Sequence, residues 1–162
     1  MARLFKRVAV ALALLAAALV GAGQAGLLAG SPPAGLGVSN GRLAPPSVTP
    51  NSVSSQAELY PEHPQKAYAS MQPLRFSGDA AAAMQTLVTV VRGLEGARIT
   101  TQSGDYLRAE VQTRWLGFRD DIEFWIDRTA GVIHFRSASR LGSEDLGVNR
   151  ERMETVRSRF RP

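Results

Sequence analysis

The side chains of this sequence that could do chemistry lie between positions 120 and 150. Ten of them are candidates for a ligand site or for a structural polar cluster: Asp120, Asp121, Glu123, Arg136, Ser137, Ser139, Arg140, Asp145, Asn149 and Arg150. The carboxylates at 120, 121 and 123 could act as a paired acid and base or could bind a hard cation. The alternative is a salt-bridged sheet surface, which we favour because arginines at 114, 119 and 136 are expected nearby.

The arginines of this set also allow two interpretations. Arg136, Arg140 and Arg150 could clamp a phosphate, a carboxylate or another small anionic ligand. They could instead pair with carboxylates such as Glu144 and Asp145 and so fasten the loop before the last helix. We favour this structural role because acids of matching number lie in the same loop.

Composition excludes several classes of site. The chain has no cysteine, so it can form no disulfide, no thiolate metal site and no cysteine nucleophile. Its two histidines, His63 and His134, are too few and too far apart to indicate a zinc site. Neither histidine stands at a recognisable triad spacing from Ser137 or Ser139. We therefore predict no catalytic residue, no metal and no cofactor.

The basic charge of the chain does not indicate a nucleic-acid partner. The formal net charge is +5, but Arg3, Lys6 and Arg7 supply three of the 19 basic groups and belong to the amino-terminal segment. Beyond residue 30 there are 16 basic and 14 acidic residues, an ordinary balance for a protein surface. We expect no nucleic acid among the partners.

Residues 1–30 are typical of a targeting segment. The three basic residues just named precede an apolar run of 13 residues, Val8 to Val20, and no charged residue occurs from Val8 to Gly41. Ala25 offers a weak cleavage site, so a cleaved signal peptide and a single transmembrane anchor both remain open. Either one places the rest of the chain outside the cytoplasm, in the periplasm or on the outer side of the inner membrane.

Two further regions follow this segment. Residues 31–58 are predicted to be a flexible linker, because Pro, Gly, Ser and Asn are frequent in them. Residues 59–162 are predicted to form the folded domain, and their periodicity gives a helix at 79–94 and another at 149–160. Ser77 or Gly78 is expected to cap the first helix, and Asn149, or alternatively Asp145, the second.

Between the helices, turn residues separate four predicted strands, at 97–102, 106–116, 120–127 and 132–138. The fold class is α+β: a two-layer sandwich of order α-β-β-β-β-α, with a four-stranded antiparallel meander and both helices on one face. A two-residue turn at Gly117-Phe118 and matched polar faces give the strand registers. The predicted cross-strand pairs are Arg114–Asp121, Arg108–Asp127, Trp125–His134 and Glu123–Arg136.

Three motifs carry a family resemblance: an acidic pair (Asp120-Asp121), an Arg-Ser-Ala-Ser-Arg run (Arg136 to Arg140), and Asp-x-Gly-x-Asn-Arg before the final helix (Asp145 to Arg150). With them the chain resembles the domain of unknown function 1499 family of bacterial and plastid proteins, over residues 43–160. The family usually carries cysteine where Ser52 stands, so a cysteine-based role could not operate in this chain. The resemblance implies no activity.

Two classes of function remain open. The first is a non-catalytic extracytoplasmic module, tethered to the membrane or exported, that binds a protein partner, an envelope component or a small anion through its polar face. The second is an enzyme that uses the carboxylates and arginines of the candidate set. We favour the first class because no pair of nucleophile and base and no set of metal ligands can be named.

Overall fold

The computed structural model describes residues 1–162 and begins with a long apolar helix, α1 (Ala2–Gln24). Almost all of its side chains are exposed, and Gly23 is its one buried residue. By length and composition, α1 is the one helix that could cross a membrane, and it lies at the amino terminus. It therefore fits a signal or anchor segment, as the sequence predicts.

The rest of the chain forms several short elements, then a helix, four longer strands and a last helix. The strands are β1 (Ser52–Ser54), β2 (Leu74–Arg75), β3 (Ala97–Ser103), β4 (Tyr106–Gln112), β5 (Arg119–Asp127) and β6 (Val132–Ser139). The helices are α2 (Lys66–Ala69), α3 (Ala80–Arg92) and α4 (Val148–Arg159), with a 3-10 turn at Ala57–Leu59. The predicted α+β class is confirmed.

The strands form one antiparallel sheet in the order β1-β6-β5-β4-β3, and β2 also pairs with β6. The sheet therefore has six strands rather than the predicted four, although β3 to β6 form the predicted meander. β1 and β2 both cover the outer side of β6, whose N–H and C=O groups would otherwise lack partners. A strand as short as β1 shows no alternating pattern in the sequence, which is why it was not predicted.

The hydrophobic core lies between one face of the sheet and the helices α3 and α4, as predicted. It comprises 21 buried residues, among them Leu87 and Val91 of α3, Phe124 and Phe135 of the sheet, and Met153 of α4. Burial of these large side chains is the main stabilising contribution to such a fold. The two-layer arrangement thus follows from the apolar stripes of two helices and one apolar sheet face.

The cap of α3 differs from the prediction, whereas at α4 the predicted alternative, Asp145, supplies the capping hydrogen bonds. Asp79 caps α3, because its carboxylate accepts hydrogen bonds from the N–H groups of Ala81 and Ala82 at 3.2 and 3.1 Å. At α4 the cap position is Gly147, with φ of 83°. The Asp145 carboxylate accepts hydrogen bonds from two N–H groups of this first turn. Neither Ser77, Gly78 nor Asn149 is the capping residue.

The register between β5 and β6 is as predicted. Trp125 lies opposite His134 and Glu123 lies opposite Arg136. The Trp125 and His134 rings stack, with centroids 5.5 Å apart and an interplanar angle of 18°. Alternation of apolar and polar residues was sufficient to choose this register, because a shift by one residue would bury the charged set in the core.

The register between β4 and β5 differs from the prediction. β4 ends at Gln112, which lies opposite Arg119, and Arg108 lies opposite Glu123. The predicted pairs Arg114–Asp121 and Arg108–Asp127 are therefore wrong.

A six-residue loop, 113–118, stands where the two-residue turn was expected. Thr113 closes it: its N–H donates to the Phe118 carbonyl at 2.9 Å, and its hydroxyl oxygen accepts from the Phe118 N–H at 3.0 Å. The side chain of Gln24 donates to two carbonyl oxygens of the same loop. These bonds satisfy backbone groups that a longer β4 would have paired within the sheet.

The segment 31–58 packs on the polar face of the sheet, whereas the sequence predicts a flexible linker there. Leu43 is buried outside the hydrophobic core, whereas Val53 of β1 is part of that core. The Gly37 N–H donates to Glu123 at 2.7 Å, and the Pro45 carbonyl accepts from Arg136 at 3.0 Å. Charged groups buried on this face need hydrogen-bond partners, and the backbone of the segment supplies them. Packing against the sheet therefore begins before residue 59.

Candidate functional site

Asp121 is the centre of an arginine–carboxylate cluster on the polar face, formed by Arg108, Glu110, Asp121 and Arg140. Arg140 donates to Asp121 through two nitrogens, at 2.8 and 3.0 Å. Arg108 donates to the same carboxylate at 2.6 and 3.2 Å. Glu110 accepts a further contact from Arg140 at 2.7 Å. The Asp121 side chain is fully buried and that of Arg140 is 2% exposed.

The chemistry of this cluster favours a structural role. Burial alone would raise the pKa of Asp121, but hydrogen bonds from Arg140 and Arg108 outweigh it and hold the pKa below its ordinary value. Burial opposes ionisation of Glu110 as well, but hydrogen bonds from Arg140 and Arg98 hold the pKa of Glu110 low. A carboxylate whose lone pairs are occupied by two guanidinium groups stays ionised at neutral pH, so it is poorly suited to exchange a proton with a substrate.

Glu123 and Arg136 lie beside this cluster and are both buried. One oxygen of Glu123 accepts hydrogen bonds from the Gly37 N–H and the Tyr106 hydroxyl, each at 2.7 Å. Arg136 donates through Nε to the Pro45 carbonyl. The remaining atoms, Glu123 Oε2 and Arg136 Nη1, are 3.9 Å apart, and neither has a hydrogen-bond partner. Glu123 and Arg136 therefore form an ion pair without a direct hydrogen bond between them.

A second cluster, which we call the asparagine network, comprises Asn51, Ser137, Ser139, Asp145 and Asn149. Asn149 is fully buried and connects the others. Its amide oxygen accepts from the Ser137 hydroxyl at 2.6 Å. Its amide nitrogen lies 2.8 Å from the Asp145 carboxylate, 3.0 Å from the Ser139 hydroxyl and 3.1 Å from the Asn51 carbonyl. The network thereby joins the first turn of α4 to the ends of β1 and β6.

Asp120 points away from Asp121, towards α4, because neighbouring residues of a strand face opposite sides of the sheet. Its carboxylate forms a salt bridge with Arg152 of α4. The same guanidinium donates to Asn149 at 2.7 Å and to the Ser137 hydroxyl at 3.0 Å. Arg152 therefore extends the asparagine network to β5, and the adjacent acids at 120 and 121 do not form an acid/base pair.

Asp145 and Arg150 fix the loop before α4 to the segment around α2. The Tyr68 hydroxyl donates a hydrogen bond to Asp145. Burial alone would raise the pKa of Asp145, but this bond and those from Asn149 and Gly147 hold the pKa below its ordinary value. Arg150 donates to the carbonyl oxygens of Tyr68 and Ser70. Its guanidinium forms no salt bridge, contrary to the predicted pairing with acids of its own loop.

The ten predicted residues therefore do not form one site. Two of them belong to the arginine–carboxylate cluster and four to the asparagine network, while Asp120, Glu123, Arg136 and Arg150 bind other partners. The three arginines of the expected anion clamp each donate to different groups. No three side chains among His, Asp and Glu come together where they could hold a metal ion.

Several residues of these clusters were missed in the sequence: Asn51, Tyr68, Tyr106, Arg108, Glu110 and Arg152. Arg152 stands among charged residues of the last helix in the sequence, but its side chain is 9% exposed. Asn51 and Tyr68 precede the long strands and pair with partners about 80 to 100 residues away. The alternation of β4 does place Arg108 and Glu110 on the polar face, so that signal was available.

Two cavities border the loop before α4. One, of about 230 Å³, is lined by Asp120 of β5 and by residues of the 113–118 loop and the 139–148 segment, including Phe118 and Ser139. The other, of about 490 Å³, is lined by Pro50, Tyr68, Glu144, Leu146, Gly147 and Arg150. Leu146 lines both cavities.

Comparison with known proteins gives a family but no function. Residues 42–160 match the family model described as "Protein of unknown function (DUF1499)". No curated protein matches the sequence, and no solved structure matches it. The matched range includes β1 to β6, both core helices and both polar clusters. The chain belongs to the DUF1499 family.

Proposed function

We propose that this protein is a membrane-anchored extracytoplasmic module with a non-catalytic role in binding or structure. One observation carries the non-catalytic part: the carboxylates at 120, 121, 123 and 145 are all bonded by arginine, tyrosine or N–H groups of the same domain. Buried charges engaged in this way hold elements together and are not free to act on a substrate.

The junction between α1 and the domain supports a retained anchor. The Gln24 side chain donates to the carbonyl oxygens of Arg114 at 2.8 Å and Trp115 at 3.0 Å. A side chain at Gly23 would overlap the carbonyl oxygen of Leu116, so the helix end is fitted closely to this loop. The basic residues before the apolar run remain in the cytoplasm, which places the domain on the other side of the membrane.

A reporter fusion tests this location. Alkaline phosphatase joined after Pro162 is expected to be active and to stay with the membranes after a carbonate wash, because this reporter folds only after export. β-Galactosidase joined at the same position is the control and is expected to be inactive. The reverse pattern would contradict the extracytoplasmic location, whereas active phosphatase in the soluble fraction would contradict the anchor.

Binding of a small anion is a second candidate function, favoured by Arg150. Its guanidinium lines the cavity of about 490 Å³ and donates only to carbonyl oxygens, so no carboxylate neutralises it directly. Glu144 lines the same cavity and would repel an anion. For that reason we place this function second.

A further inference from the structure

Two neighbouring segments, the 113–118 loop and residues 141–148 up to the start of α4, form what we call the interfacial rim. Both border the cavity of about 230 Å³. The first is bonded to the last residue of α1 through Gln24. The second lies against the chain that follows α1, because a Cβ atom at Gly30 would be 3.0 Å from Cγ of Leu141. The rim is therefore the part of the domain next to the end of the anchor helix.

Exposed apolar side chains are concentrated on this rim. Beyond residue 30 the chain has eight large apolar residues with exposed side chains, and five of them lie here: Trp115, Leu116, Leu141, Leu146 and Val148. The cost of leaving so much apolar surface in water indicates that something apolar covers the rim.

Leu146 is exposed to solvent although its backbone conformation is unfavourable for leucine. Its φ of 52° lies in the left-handed region, which glycine or asparagine adopts more easily than leucine does. The residue is nevertheless 89% exposed and does not belong to the hydrophobic core. Leu146 belongs to a turn, closed by the bond from the Val148 N–H to the Asp145 carbonyl, and a strained turn residue that presents a leucine to solvent is the kind of outlier found at binding positions.

The tryptophan of the rim indicates which kind of apolar surface covers it. Trp115 is 65% exposed, and the Arg114 guanidinium lies 5.1 Å from its ring centroid. Tryptophan and arginine next to the end of a membrane-spanning helix are typical of the headgroup level of a bilayer. Leucines placed beside them can reach the boundary with the acyl chains.

We propose that the interfacial rim docks onto the outer surface of the bilayer that α1 crosses, with Trp115, Leu116 and Leu146 inserted among the phospholipid headgroups. This inference rests on the proposed anchor. Docking would fix the orientation of the domain relative to the membrane, so that the opposite ends of the strands, at the turns 104–105 and 128–131, face away from it.

Fluorescence quenching of Trp115 tests the docking. The full chain, carrying Trp125→Phe so that Trp115 is the only tryptophan, is reconstituted in phosphatidylcholine vesicles with or without bromine on the upper acyl chain. We expect the bromine to lower the emission at least about twofold, because an inserted ring lies at the level of the interface. Leu146→Asn should weaken the quenching, and it keeps the fold because asparagine accepts the left-handed backbone.

Val48→Asn is the matched control, since Val48 is an exposed apolar residue outside the rim. It is expected to leave the quenching unchanged. Chain that floats with the vesicles but shows equal emission with and without bromine would overturn the docking and leave the anchor standing. Chain that fails to float would overturn the anchor, and the docking with it.

Discussion

Replacement of Asp121 by asparagine is expected to lower the free energy of unfolding by about 3–5 kcal/mol, the range for removing one partner of a buried ion pair. After the substitution, the Glu110 carboxylate is the one acidic group that still forms salt bridges with the positive charges of Arg108 and Arg140. Urea denaturation followed by circular dichroism measures the change. Asp105→Asn is the control: the side chains of Asp105 and Arg128 are 34% and 59% exposed, so we expect at most about 1 kcal/mol.

The pH dependence of stability in wild type and in Asp121→Asn identifies the cause of the expected loss. The pKa of Asp121 is lower in the folded protein than the ordinary value of 3.8. Stability from its ionised form is therefore complete above that value and is lost as the pH falls through the folded pKa. Wild type and Asp121→Asn should converge in stability in this acidic range. A difference that stays constant at all pH values would show that the ion pair is not its source.

Replacement of Asn149 by alanine is expected to cost about 3 kcal/mol. Several buried groups lose a partner at once, including the Ser137 hydroxyl and the Asp145 carboxylate, and each unsatisfied group costs about 1–3 kcal/mol. The measurement is again urea denaturation. Ser158→Ala, on the exposed side of the same helix, is the control and should change stability by less than about 0.5 kcal/mol. Equal effects of the two substitutions would contradict the central role of Asn149.

Strand register could be predicted from the sequence only where a short turn joins the strands. The faces of β5 and β6 match in one way, so the pairing of Glu123 with Arg136 followed from alternation alone. The register of β4 depends on the 113–118 loop, which is closed by Thr113 and held by Gln24. The Gln24 contact joins parts of the chain 90 residues apart, and no local pattern reports it.

Some residues of the polar clusters could also be predicted from local sequence, whereas others depend on contacts between distant parts of the chain. Asp145 and Asn149 were predictable as fastening residues, because a charged loop with few apolar residues must be held by hydrogen bonds. Arg152 was not, because it stands among exposed charged residues in the sequence and becomes buried only where α4 crosses Asp120. The covering of the polar face by residues 31–58 was also hidden, since their composition resembles that of linkers.

Titration with phosphate tests most directly whether the charges of the candidate set serve the fold rather than a ligand. An anion bound with a Kd of about 0.1 mM would, at about 10 mM, stabilise the folded state by about 2.7 kcal/mol. We predict that phosphate and chloride of equal ionic strength give the same unfolding free energy for wild type. We also predict no difference in this response between wild type and Arg150→Gln. Stabilisation of wild type by phosphate that is lost in Arg150→Gln would contradict the structural account.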